Sequence, residues 1–227
     1  SILLNNYIDL FKIPQIYFKS KRHIYLLLVM FSCGFLSYSQ SFVLDGNGVT
    51  VKCTSCTAGD TGQIGGSGPT YTAHDNTSLA AKSKSDTDWN LVVTTLVTNM
   101  AELFLNQRTF DQDISSWDTS NVTQMYNMFK GASAFNCDTS SPSKNLNNWD
   151  TSKVGNMGGV FFGALNFNKI LTGWDTSNVT SFQNMFENAQ AFNQNIGGWD
   201  TAKVRNMIAM FQGAPVFNQS LSAWDTS

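Results

Sequence analysis

The feature that most constrains this chain is a tripeptide that returns at a fixed interval. Trp-Asp-Thr begins at Trp117, Trp149, Trp174, Trp199 and Trp224, with gaps of 32, 25, 25 and 25 residues. The first gap is one period plus seven residues inserted between Asn136 and Leu146. Counted from each Trp, position +5 is Val122, Val154, Val179 and Val204, and position +8 is Met125, Met157, Phe182 and Met207. Position +12 is Phe129, Phe161, Phe186 and Phe211; +15 is always Ala, and +18 is Phe135, Phe167, Phe192 and Phe217. A degenerate copy precedes these, with Val92 in the Trp position and Val97, Met100, Leu103, Phe104, Phe110 and Ile114 in phase.

A 25-residue unit has too little apolar surface to bury by itself, whereas stacked units cover one another and build a continuous core. The 3-3-4 spacing of apolar positions from +5 to +15 predicts short helical or 3₁₀ turns. The β-favouring, alternating residues around Trp-Asp-Thr predict a short strand. Position +14 is Gly131, Gly163, Asn188 and Gly213; Gly exchanged only for Asn marks backbone with positive φ. The fold expected is therefore an α/β solenoid, a stack of short strands and short helical turns over residues 92–227. Residues 41–91 would form a small β-rich N-terminal cap, in which Asp45-Gly46-Asn47-Gly48 suits a hairpin turn.

Upstream lies a leader. Residues 19–23 read Lys-Ser-Lys-Arg-His, and an apolar run of 15 residues follows from Ile24 to Tyr38. That run is shorter than the roughly 20 residues of a membrane-spanning helix. Basic start, short apolar middle and small-residue end read as a secretory signal peptide cleaved near Gln40–Ser41. Cys33 as a lipidated cysteine is the weaker alternative, because apolar residues continue past it to Leu36. Residues 1–18 lack an initiator Met and read as an extended leader or translated upstream sequence.

Composition narrows the function. Charged residues are 13% of the chain, about half the usual share of roughly 25%. Beyond residue 40 the chain carries 10 basic and 15 acidic side chains, a poor balance for nucleic acid. Past residue 40 His74 is the sole histidine, and Glu102 and Glu187 are the only glutamates. A multi-His metal site cannot be built in one chain, and any Ser-His-Asp system would have to use His74.

The repeat also sets residue ladders. The Trp ladder (Trp117, Trp149, Trp174, Trp199, Trp224) shares its phase with the Val, Met and Phe positions, which favours a core role over a glycan-stacking surface. In the Asp ladder (Asp118, Asp150, Asp175, Asp200, Asp225), neighbours in register at about 4.8 Å would repel by about 1 kcal/mol per pair in water-like dielectric. A bond from each carboxylate to a following backbone N–H contributes about as much. Capping can therefore sustain this ladder, with calcium bridging as the alternative. The Asn ladder (Asn136, Asn168, Asn193, Asn218, with Asp111 in the first copy) reads as a buried amide series satisfying backbone groups from turn to turn. Cys53-Thr54-Ser55-Cys56 is half a zinc site without a second half, so in an exported chain a Cys53–Cys56 disulfide is favoured. Cys137 makes the count odd and leaves the connectivity open.

The spacing Val-x-x-Met-x-x-Met-Phe-x-x-Ala-x-x-Phe-Asn resembles the BspA-like leucine-rich-repeat surface proteins, whose repeat is about 25–26 residues. WDTSNVTQMYNMF (117–129) and WDTSNVTSFQNMF (174–186) carry the likeness best, and FVLDGNGVTVKC (42–53) resembles the start of the mature region in such proteins. The seven-residue insertion and the degenerate first copy depart from that pattern. The resemblance implies a leucine-rich-repeat-like fold and secretion or surface display, and it transfers no catalytic motif.

The function expected is a secreted or cell-surface, non-enzymatic interaction or adhesion module. Its partner is a protein or glycan, without nucleic acid or cofactor, and with membrane contact only through export or anchoring. The alternatives are an exported enzyme or metal-dependent protein using Cys53, Cys56 or the Asp ladder, and a passive surface spacer. The 137–145 insertion is expected to be a dispensable surface loop. Because Trp224 is followed by no further apolar partners, the repeats are expected to continue past Ser227.

Overall fold

The computed structural model describes residues 41–138 and 144–225. The leader, with Cys33 and the cleavage position, lies outside them, as do residues 139–143 of the insertion.

Regular secondary structure is confined to the N-terminal part. Strands β1 (Phe42–Leu44) and β2 (Val51–Cys53) form an antiparallel pair, with Phe42 opposite Cys53. The turn between them is held by Asn47, whose Oδ1 accepts from the N–H groups of Val49 and Thr50. A mixed sheet follows: β3 (Thr61–Gly62) is antiparallel to β4 (Tyr71–Ala73), which is parallel to β5 (Val92–Val93). Helix α1 (Asn76–Ala81) starts in a capping box: Asp75 accepts from the Ser78 N–H and the Ser78 Oγ accepts from the Asp75 N–H. Its end is held by Lys84, whose Nζ donates to the carbonyls of Ala80 and Lys82. Short 3₁₀ turns occupy Ile64–Gly66 and Trp89–Leu91.

From Thr94 onward the described residues form neither helix nor paired strand. Each layer touches the next through one isolated parallel bridge, running Asn99–Gln124–Asn156–Ser181–Asn206 at position +7. The expectation of an α/β solenoid of leucine-rich-repeat type is overturned here, and the cause is local. Positions +10 and +14 are both left-handed. Position +14 holds Asn106, Gly131, Gly163, Asn188 and Gly213, and +10 holds Glu102, Asn127, Gly159, Asn184 and Ala209, all with φ between 54° and 71°. A helix cannot pass through a left-handed residue every fourth position.

The backbone instead alternates. Met128, Lys130 and Ala132 donate within their own layer to Met125, Asn127 and Phe129, three residues back. Asn127, Phe129 and Gly131 donate to Gly158, Val160 and Phe162 of the next layer. Later layers repeat this, with Gly159, Phe161 and Gly163 donating to Gln183, Met185 and Glu187. The expected Trp-Asp-Thr strand is likewise a turn. The N–H of each Trp donates three residues back, as Trp149 does to Leu146, and the Asp side chain captures the N–H two residues on.

The core is a column of rings. Within a layer the +12 and +18 phenylalanines stack, with centroids 3.9 Å apart for Phe129–Phe135 and 3.8 Å for Phe161–Phe167. Between layers the indoles of Trp117, Trp149, Trp174 and Trp199 stack at 6.1–6.3 Å with planes within 4°. Leu79 of α1 and Trp89 belong to this same column. A second, smaller cluster joins Phe42, Val51, Cys53, Cys56, Ala73 and Val93 under the strands. The two parts are also tied by the backbone, Val51 N–H donating to the Ser116 carbonyl at 2.9 Å.

Candidate functional site

Most ladder residues spend their polar groups on the stack. Trp117, Trp149, Trp174 and Trp199 are buried, and Trp224 in the final layer is half-buried. Each indole Nε1 donates to the carbonyl three residues ahead of the preceding Trp position: Trp149 to Ile114, Trp174 to Leu146, Trp199 to Leu171 and Trp224 to Ile196. Trp117 donates to Trp89 in the same way. A second series, not singled out from sequence as a hydrogen-bonding one, is Thr94, Thr119, Thr151, Thr176 and Thr201. All are buried, and each hydroxyl donates to the carbonyl of the Asp in the next layer.

Asp150, Asp175 and Asp200 are exposed and accept the N–H two residues on, from Ser152, Ser177 and Ala202; Asp225 is exposed as well. The Ser177 hydroxyl and N–H hold the Asp175 carboxyl below the usual carboxylate range. Asp118 differs. It is buried, its Oδ1 accepts from Ser120, and its Oδ2 has no partner among the described residues. The Asn ladder lies at the surface rather than in the core, with Asn168 and Asn218 exposed. Its bonds run layer to layer: the N–H of Asn136, Asn168, Asn193 and Asn218 donates to Oδ1 of Asp111, Asn136, Asn168 and Asn193. The amide is outside because each layer's edge, not its centre, has the uncommitted N–H.

Cys53 and Cys56 form a disulfide. Cys137 is free and fully buried, and burial pushes its thiol up to about 12. The start of the insertion is thus anchored in the core. Its far side is tied too, with Lys144 Nζ 2.6 Å from Asp113 Oδ2. His74 is half-buried, and burial followed by the Lys82 charge lowers its pKa. Among the described residues no three His, Cys, Asp or Glu side chains are grouped to hold a metal ion. No helix among them is long and apolar enough to cross a membrane.

A further surface, outside the ladders, is the face built from positions +7, +9 and +13. Its +9 row runs Ala101, Tyr126, Gly158, Gln183, Ile208, and its +13 row runs Leu105, Lys130, Phe162, Glu187, Gln212. Gly158 is a missing rung. Between the side chains of Tyr126 and Gln183 it leaves a groove of about 310 Å³, which Lys130, Asn156, Phe162, Ser181 and Asn184 also line. Asn156 shapes the floor, its Oδ1 accepting the Gly158 N–H at 2.8 Å. Lys130 Nζ lies 4.8 Å from the centre of the Phe162 ring. Among the described residues it enters no ion pair. None of the ladders read from the sequence lies on this face. The signal was present in Gly158, the only glycine in the +9 row.

This layered repeat, from the β4 edge to the last Trp, is what the comparisons recognise. The chain belongs to the family described as Mycoplasma protein of unknown function, DUF285. The match covers residues 73–142 and again 139–227. The two DUF285 matches overlap at residues 139–142, inside the insertion. The first match includes α1 and Trp89, in keeping with their place in the repeat core. No curated protein and no solved structure matches the chain.

Proposed function

We propose that this DUF285 chain is a non-enzymatic interaction module, displayed at the cell surface in the manner of the BspA-like proteins, that presents its layered face to a protein or glycan partner. The observation that carries the reading is the missing rung at Gly158. A face otherwise repeated in register opens there into a groove, flanked by an exposed Tyr126 and by Lys130, which enters no ion pair among the described residues. A stacked core supports this role by holding the surface rigid, so that little ordering entropy is lost on binding. The basic-then-apolar leader and the Cys53–Cys56 disulfide favour export into an oxidising space.

The test is surface labelling of cells that express the full chain, using antibody raised against its repeats. Labelling of intact cells is expected. Labelling only after permeabilisation would refute surface display.

A further inference from the structure

The groove has a composition that selects a ligand. Its lining is mainly polar, with amide, hydroxyl and glycine beside Lys130, and Tyr126 and Phe162 add only a little apolar surface. A protein hot spot would need a larger desolvated apolar centre than this. A sugar ring has the complementary build: a hydroxyl edge that needs both donors and acceptors, and little apolar surface to match. The groove supplies both kinds. Asn156 uses its Oδ1 for the Gly158 N–H, while its Nδ2 makes no hydrogen bond among the described residues. Gln183 accepts from Asn206 at its Oε1 and keeps its amide donors. The volume of about 310 Å³ lies at the lower end of the range for small-molecule sites. Lys130 sets the charge: its ammonium is held over the Phe162 ring rather than on a carboxylate, so it is available to an anion.

We propose that the notch at Gly158 is a saccharide subsite taking one pyranose unit that bears a carboxylate, its hydroxyls on the amides of Asn156 and Gln183, its edge beside Tyr126 and its carboxylate on Lys130. This rests on the reading of the chain as an interaction module and names the ligand class for it. Specificity for an acidic sugar comes from one cation, and entry to the site comes from one absent side chain.

The experiment titrates the full chain with tetragalacturonate and, separately, with the neutral cellotetraose, by calorimetry. Three variants accompany it: Gly158→Gln, Tyr126→Ala and Lys130→Gln. Gln is what the next layer carries at the same position, as Gln183; Gly158 has no left-handed φ to forbid it, and its Cβ would lie 3.1 Å from Asn156 Oδ1, so that side chain has to give by a few tenths of an ångström. Tyr126 is 37% exposed, so its truncation spares the core. The acidic oligosaccharide is expected to bind at least about tenfold more tightly than the neutral one. Lys130→Gln should erase that difference. Gly158→Gln should abolish binding with at most a small fall in the urea midpoint, and Tyr126→Ala should weaken binding with the midpoint unchanged. No binding of tetragalacturonate at about 10 mM, equal binding of the two sugars, or full binding by both Gly158→Gln and Tyr126→Ala would each overturn the assignment. Failure here leaves surface labelling of intact cells untouched, so the two readings fail separately.

Discussion

Replacing Trp174 by alanine probes the column at its middle. The indole is 4% exposed and lies 6.3 Å from Trp149, 6.2 Å from Trp199 and 6.0 Å from Phe161, centre to centre. Its Nε1 donates to the Leu146 carbonyl at 2.9 Å, inside the core. Trp-to-Ala changes in cores cost about 3–5 kcal/mol, and a buried carbonyl left without its donor costs about 1–3 kcal/mol. The two overlap in one cavity, so we expect a loss of about 4 kcal/mol. With a urea slope of about 2 kcal/mol per M, the unfolding midpoint should fall by about 2 M. A drop in the slope itself would show that the layers on either side have uncoupled, as weakened repeat arrays do. Trp174→Phe keeps a ring in the column and removes only the donor and part of the area, so its midpoint should fall between the other two. Coincident midpoints for parent and alanine variant would refute burial of the Trp ladder. A phenylalanine variant as damaged as the alanine one would assign the cost to the Leu146 hydrogen bond rather than to packing.

Other expectations follow from single residues. Cys137, with its thiol pushed up to about 12 by burial, should resist a thiol-disulfide reagent at pH 8 in the native chain and react fully in urea, since the thiolate is the nucleophile; native-state labelling would contradict its placement. Gly159→Ala forces a Cβ onto a left-handed residue and against the Asn127 side chain, so it should cost about 1–2 kcal/mol, and an unchanged urea midpoint would refute the conformation. Burial alone would raise the Asp113 carboxyl, but its bonds to Lys144 and Ser115 override this and hold it below the usual range. Its contribution is therefore present above the ordinary Asp value of about 3.9 and lost as pH falls through the lower folded value. Lys144→Gln should flatten that acid limb in thermal melts, and an unaltered limb would show the pair contributes nothing.

The apolar stripes were legible because burial in a stack forces the same residue type back into the same place in every layer. Phe135, Phe167 and Phe192 are fully buried, as are Ala132, Ala164 and Ala189. The left-handed +14 position was legible for a related reason: Gly131, Gly163 and Gly213 alternate only with Asn106 and Asn188, and few residues tolerate that backbone. Its twin at +10 was not. Asn127, Gly159 and Asn184 carry the same Asn/Gly mark, but Glu102 and Ala209 break it, since there the inter-layer hydrogen bonds sustain the positive φ against side-chain preference. Without that second left-handed point, the 3-3-4 spacing reads as helix. Successive turns with bonds three residues back bury the same positions, so periodicity cannot separate the two.

The groove escaped the sequence reading for the opposite reason. A repeat advertises what its layers have in common, and the candidate site is where one layer departs. The +9 side chains project away from the column, so no packing rule restrains them, and the row accepts Ala101, Tyr126, Gln183 and Ile208 without altering the backbone. In such a fold recognition can change by substitution at one outward position, while the Trp, Phe and Ala columns beneath continue to set the geometry. Gly158 marks the point where that freedom has been used to remove a side chain rather than exchange one. The resulting space is bounded by neighbours on three successive layers, Tyr126, Asn156 and Gln183. It is therefore as rigid as the column that carries it.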